Sequence, residues 1–158
     1  MRRLFPNLAR RRRSGATTVE MAVVLPVFFL FMFALVEFSH AYFVINVLNG
    51  ACKKAARLGI GDDVTTTQVE AKVREILAKA MKVDNVTVVV KNAGTFDSSN
   101  TNPANINYNS LPSIELSDAE PRQLFIVRAS VPYEDVALMT PHWIKNITLS
   151  GQSVMRHE

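Results

Sequence analysis

A single cysteine, Cys52, occurs among the 158 residues, so no internal disulfide can form, and the residue reads as a small packing group on a helix. The three histidines, His40, His142 and His157, stand far apart and show no metal-ligand spacing, which argues against a metal centre. A Gly-rich phosphate loop is missing, and no serine sits in a nucleophile-elbow sequence. Paired carboxylates occur only as Asp62-Asp63 and Glu134-Asp135, both in expected turns, where solvated surface charge is the ordinary role. The residues therefore offer no catalytic constellation and call for no cofactor, and the chain does not read as an enzyme. No internal repeat is present either.

Two further gaps are positional. No acidic residue precedes Glu20, and no charged residue occurs from Met21 to Val36. Against the first gap stand six basic residues, Arg2, Arg3 and Arg10, Arg11, Arg12 and Arg13, all ahead of Gly15. The second gap is filled by apolar residues, with Phe28, Phe29, Phe31 and Phe33 among them. With Ala16 to Val19 in front, the run is long enough to cross a hydrocarbon core of about 30 Å at about 1.5 Å per residue. The arginines act as a topology signal and place the N-terminus in the cytoplasm, with the remainder across the membrane. An ordinary secretory signal fits poorly, because the run is too long, contains Pro26 and ends in Glu37-Phe38-Ser39-His40 instead of a small-residue cut site. Net charge is +4, yet residues 16–158 carry twelve basic against fourteen acidic side chains. The high pI thus reports topology and gives no ground for a nucleic-acid partner.

Glu20 poses the physical question. A carboxylate within a membrane helix costs about 2.5–3.5 kcal/mol on insertion scales, so it calls for a partner. If the chain is cut after Gly15, Ala16 carries a new ammonium group roughly 7 Å along the helix from Glu20. A neighbouring subunit shifted by one turn then sets its amine against this carboxylate and fixes the stagger between subunits. The bland alternative is a carboxylate snorkelling to the inner headgroups. Glu37 lies about 25 Å further along the axis, near the outer boundary. A solvated boundary charge is the expectation there, with a contact to a partner subunit as the alternative.

Gly15, then Ala16-Thr17-Thr18-Val19, Glu20 and an apolar helix, resembles the processing signal of type IV-type prepilins. Val24-Leu25-Pro26, Val36-Glu37-Phe38-Ser39-His40-Ala41-Tyr42 and the closing Ser153-Val154-Met155-Arg156 resemble, more narrowly, the TadE-like minor pseudopilins of tight-adherence (Flp) pili. The resemblance covers Arg10 to Arg57 and the last strand, and is weak between them. It implies cleavage between Gly15 and Ala16 by a membrane-embedded prepilin peptidase. It also implies other pilin or pseudopilin subunits and a pilus assembly platform as partners, and location in a bacterial inner (cytoplasmic) membrane. Major Flp pilins carry a tyrosine after the glutamate; Met21 stands here, which favours a minor or accessory subunit with a structural role. The rival reading is an uncut single-pass protein whose outer domain binds a ligand or a partner.

The expected fold is α+β. Residues 1–15 form a basic cytoplasmic leader, and residues 16–58 one long helix whose N-terminal half is transmembrane. Residues 59–158 form a small extracytoplasmic domain with a second helix and a three-stranded antiparallel sheet. Ala41, Val44, Ile45, Leu48, Cys52 and Ala55 recur at helical spacing, with Asn46, Asn49, Lys53 and Arg57 opposite. Pro26 is expected to kink this helix, and Gly59 and Gly61 to end it. Thr67-Gln68-Val69-Glu70 matches a capping box for helix 2, whose apolar stripe is Val69, Val73, Ile76, Leu77 and Ala80. Strands are expected over 85–91, 123–131 and 146–155. Residues 92–121, polar and rich in asparagine, read as a mobile loop. Residues 133–144 read as a connection covering one sheet edge.

Overall fold

The structure, a computed structural model, describes residues 9–61, 63–81, 85–97, 106–138 and 143–158, with side chains from Gly15 onward. It is α+β, as the sequence pattern requires. Helix α1 spans Ala9–Leu58 and α2 spans Thr66–Ala80. Strands β1 (Thr87–Asn92), β2 (Leu124–Pro132) and β3 (Thr148–Arg156) form one antiparallel sheet in the order β1-β2-β3.

α1 begins seven residues before the expected Ala16, so Arg10 to Arg13 and Gly15 belong to the same continuous helix as the apolar run. Arginine is a good helix former, and between Ala9 and Gly15 no proline interrupts it. Fifty residues at 1.5 Å make a rod about 75 Å long. Its helical assignment continues through Pro26.

Only the second half of the rod is packed. From Ala41 onward one face (Ala41, Val44, Leu48, Cys52, Ala55) is buried, in the periodicity read from the sequence. α2 contributes Val69, Val73 and Leu77 to the same core, and the sheet contributes Val88, Val90, Phe125, Val127, Ala129, Val131 and Leu149. These strand residues alternate, and register stacks them: Val90 faces Val127, Val88 faces Ala129 and Val131 faces Leu149. Burying a side chain such as Leu48 or Phe125 contributes about 1.5–3 kcal/mol each, and this shared core is what holds the sheet to the helix.

β3 lies along α1 and runs in the same direction. Gly151 is the point of closest approach: a Cβ there would meet the backbone nitrogen of Asn49, and Leu48 C at 2.5 Å and Leu48 Cβ at 2.6 Å. The Cys52 thiol donates to the Gly151 carbonyl at 3.4 Å, and Gln152 N donates to Asn49 Oδ1 at 2.9 Å. Asn49, expected on the outward face, is therefore a clasp between helix and strand. Further on, Glu158 N donates to the Ile60 carbonyl at 3.2 Å.

Helix α1 ends at Leu58, but no glycine adopts a positive φ, so Gly59 does not serve as a left-handed cap. It is small because a Cβ would meet Leu116 Cδ1 at 2.9 Å and Val69 Cγ2 at 3.0 Å. The capping box of α2 also sits two residues earlier than expected. Thr65 accepts from Gln68 N, and Gln68 Oε1 accepts from Thr65 N.

The expected loop 92–121 is partly built. Asn92 N donates to the Pro112 carbonyl at 2.9 Å, and Lys91 bridges to Ser113. Ala93, Leu111 and Ile126 form a second small core on the outer face of the sheet, joined by Phe96, Ile106, Tyr108 and Leu124. The Arg128 guanidinium stacks over the Tyr108 ring at 4.3 Å and donates to Gln152 and Ser150. Residues 98–105, the centre of that loop, lie outside the described residues.

Candidate functional site: the junction of the apolar helix and the C-terminal domain

Residues 16–36 touch almost nothing in the chain. Val23 is 68% exposed and Phe31 61%, and none of the most apolar window is buried. So much exposed hydrocarbon on one helix is stable only in lipid or against other helices. At its N-terminal end, Gly15, Ala16 and Glu20 are exposed on consecutive turns. Among the described residues nothing lies within 4 Å of a Cβ added at Gly15, so none of them requires a glycine there. Among the described residues Glu20 enters no ion pair. The side chains of Arg10 to Arg13 are outside the described residues.

At the C-terminal end of the apolar run the helix meets the domain through Glu37. This carboxylate is 8% exposed, which overturns the expectation of a solvated boundary charge. Its Oε1 accepts from Ile144 N at 2.9 Å, and both carboxylate oxygens lie 3.3–3.4 Å from Trp143 N. Two successive N–H groups aimed at one carboxylate make a small anion cradle, with stronger bonds than a neutral acceptor gives. The signal for this was present: Glu37, Ala41, Val44 and Leu48 follow helical spacing, so the buried face of α1 extends back to Glu37.

The rest of the junction comes from the connection between β2 and β3. Tyr133 is fully buried, and its hydroxyl donates to the Glu37 carbonyl at 3.2 Å. Its backbone N donates to the Ile147 carbonyl at 2.9 Å. Glu134 Oε1 accepts from Asn146 N at 2.6 Å, and this bond holds the Glu134 carboxyl below its ordinary range. Asn146 takes the left-handed conformation (φ 55) that asparagine tolerates, turning the chain from the cradle into β3. Ile144 is buried and Trp143 is 43% exposed. The connection thus turns onto α1 through Tyr133, Trp143 and Ile144. Met139, Pro141 and His142, also read as part of that connection, lie outside the described residues.

His40, one turn past Glu37, has its ring 6.3 Å from that of Tyr133, and its Nδ1 is buried without a hydrogen-bond partner. It borders an open groove with Phe43, Met81, Val136 and Leu138. The predicted site residues therefore fall into two groups about 25 Å apart: Gly15, Ala16 and Glu20 at one end of the apolar run, Glu37 at the other. Sequence reading missed Tyr133, and it missed the Trp143 and Ile144 amides because backbone donors leave no mark on residue type.

Residues 15–57 match the sequence model of the family described as TadE-like protein. The match begins at Gly15, includes both glutamates and stops one residue short of the helix end. It points to a Tad-pilus-associated protein anchored in a membrane by its N-terminal helix. No curated protein and no solved structure matches the chain.

Proposed function

We propose that this chain is a minor pseudopilin of a tight-adherence pilus system, inserted with its N-terminus inside and cut between Gly15 and Ala16 by a prepilin peptidase. The observation that carries this reading is the exposed apolar half-helix headed by Gly15 and Glu20, within the segment that matches the TadE-like family. Among the described residues nothing packs against Gly15, which supports an external requirement as its reason. A glycine also lowers local helix stability by about 1 kcal/mol relative to alanine, which eases unwinding at a cut site.

After the cut, the Ala16 amine and the Glu20 carboxylate of neighbouring helices form the contact that sets subunit stagger. The apolar run packs against other pilin helices, and the domain stands outside the inner membrane. The role is structural: priming, capping or supporting pilus assembly on its platform. Gly15→Trp tests the cut. Full-length protein should accumulate in host membranes, and normal processing would overturn the assigned position. Glu20→Ala should be processed normally yet enter pilus assemblies poorly; undiminished incorporation would remove the charge-pairing step. An uncut single-pass binding protein predicts no processing in the unsubstituted chain.

A further inference from the structure

Beyond residue 36, eight large apolar side chains are exposed among the described residues, and they are unevenly placed. Phe38, Tyr42, Phe43, Leu138, Trp143 and Ile147 cluster at the end where Glu37 joins helix to domain, leaving only Leu58 and Val154 elsewhere. Trp143 precedes Ile144, whose N–H bonds Glu37 Oε1 at 2.9 Å, so its backbone is held beside the carboxylate that ends the apolar run. Its backbone therefore lies at the level where the apolar run of α1 ends, and its side chain is 43% exposed there. Leu138, 70% exposed, reaches the same end through the groove it shares with Phe43 and His40. Tyr42 lies about 7.5 Å past Glu37 along the axis, within the headgroup layer of that leaflet. Lys145, two residues after Trp143, is an exposed cation in the same segment.

We propose that Trp143, with Phe38, Tyr42 and Leu138, seats the near end of the outer domain in the interfacial layer of the bilayer that α1 crosses. The inference rests on the reading that residues 16–36 span a membrane. Tryptophan and tyrosine suit this layer because each joins an apolar ring to a polar tip. Lipid is favoured over a second protein as the occupant because the patch continues directly from the lipid-length apolar run. The cradle at Glu37 then does two things: it removes a charge from the lipid boundary, and it aims the anchoring indole. A domain held at both helix and interface cannot swing about residue 37, so it presents one fixed face outward.

Trp143 is the only tryptophan, so the unsubstituted chain carries its own probe. The full chain is reconstituted in phosphatidylcholine vesicles whose acyl chains are brominated either near the headgroup or near the methyl end. The expected result is blue-shifted emission, strong loss with the shallow bromines, weaker loss with the deep ones, and little quenching by acrylamide. A chain that stays in the membrane through alkaline carbonate washing, yet is quenched by acrylamide and untouched by bromolipid, overturns the proposal alone. Shielding from both quenchers means protein covers the indole and overturns it equally. Release by carbonate overturns the membrane-spanning reading with it. A Trp143→Phe chain carrying Leu58→Trp, which moves the probe to the far end, should be quenched by acrylamide and not by either bromolipid. Bromolipid quenching of that variant as strong as that of Trp143 would overturn the proposal.

Discussion

Replacing Glu37 by alanine removes the acceptor of a buried amide and leaves the helix itself intact. Ile144 is 5% exposed, and its N–H has Glu37 Oε1 at 2.9 Å as its partner. A buried donor left unsatisfied costs about 1–3 kcal/mol, and bonds to a charged acceptor lie in the upper part of that range. The Trp143 contacts, at 3.3–3.4 Å, are long and add little. A cost of about 2 kcal/mol for opening the 143–147 turn follows, equivalent to about 30-fold faster exchange of its amides at tenfold per 1.4 kcal/mol. Glu37→Gln keeps a carbonyl oxygen where Oε1 stands and loses only the charge. About 1 kcal/mol, or about fivefold, is expected for it. The assay is hydrogen–deuterium exchange read by mass spectrometry on the full chain in micelles, comparing the peptide over 143–147 with one from α2. Glu20→Ala is the control, since it lies 17 residues away along the rod and should leave both peptides unchanged. Exchange over 143–147 that stays within about twofold of the unsubstituted chain in Glu37→Ala would refute the cradle, since about 2 kcal/mol cannot be hidden in that margin.

Other perturbations probe other contacts. Gly151→Ala drives a methyl into the backbone of α1 at Leu48 and Asn49, and should destabilise the C-terminal domain by about 3 kcal/mol in urea titrations; a change below about 0.5 kcal/mol would contradict the close approach. Burial pushes the Cys52 thiol up to about 11. Maleimide at mildly alkaline pH should therefore leave Cys52 unmodified until the domain is unfolded, and fast labelling of native protein would contradict the packing. On α2, Lys72 and Lys79 flank Glu75 at 2.8 and 2.5 Å and pull its carboxyl down to about 2. A depressed carboxyl contributes stability that is present above the ordinary range near 4.5 and lost as pH falls through about 2. Glu75→Gln should therefore lose its difference from the unsubstituted chain at low pH, and also at high salt because the group is exposed. A thermal-shift difference independent of both would contradict the ion-pair origin.

Much of this fold is written in periods that survive translation into structure. The stripe from Ala41 to Ala55, the α2 stripe from Val69 to Leu77 and the alternation in β2 all became the core, while Ala80, read as the end of the α2 stripe, is exposed; strand ends shifted by one or two residues. What failed has physical causes that spacing does not record. Thr65, Thr66 and Thr67 offer more than one capping register. The choice is made at long range, because the Thr66 hydroxyl donates to the Ile114 carbonyl and accepts from Leu116 N, while Thr66 N donates to Glu115 Oε1. Residues 92–97 and 106–121 looked polar and irregular, yet Leu111 and Ala93 cover Ile126 through contacts with no period. Gly59 was read as a helix stop and α1 does end just before it, but its smallness answers Leu116 and Val69, which the sequence did not show. Glu37 was misjudged because a charge at the end of an apolar run resembles a solvated boundary. The Trp143 and Ile144 amides that cradle it are main-chain groups, invisible to any reading of side chains.

The mass of the N-terminal peptide, taken from the chain in its native membranes, tests the central claim most directly. The account predicts a mature chain beginning at Ala16, so that a free amine stands one turn from Glu20. Recovery of the chain with Met1 to Gly15 still attached would contradict it, and the assignment to a processed pilus subunit would fall.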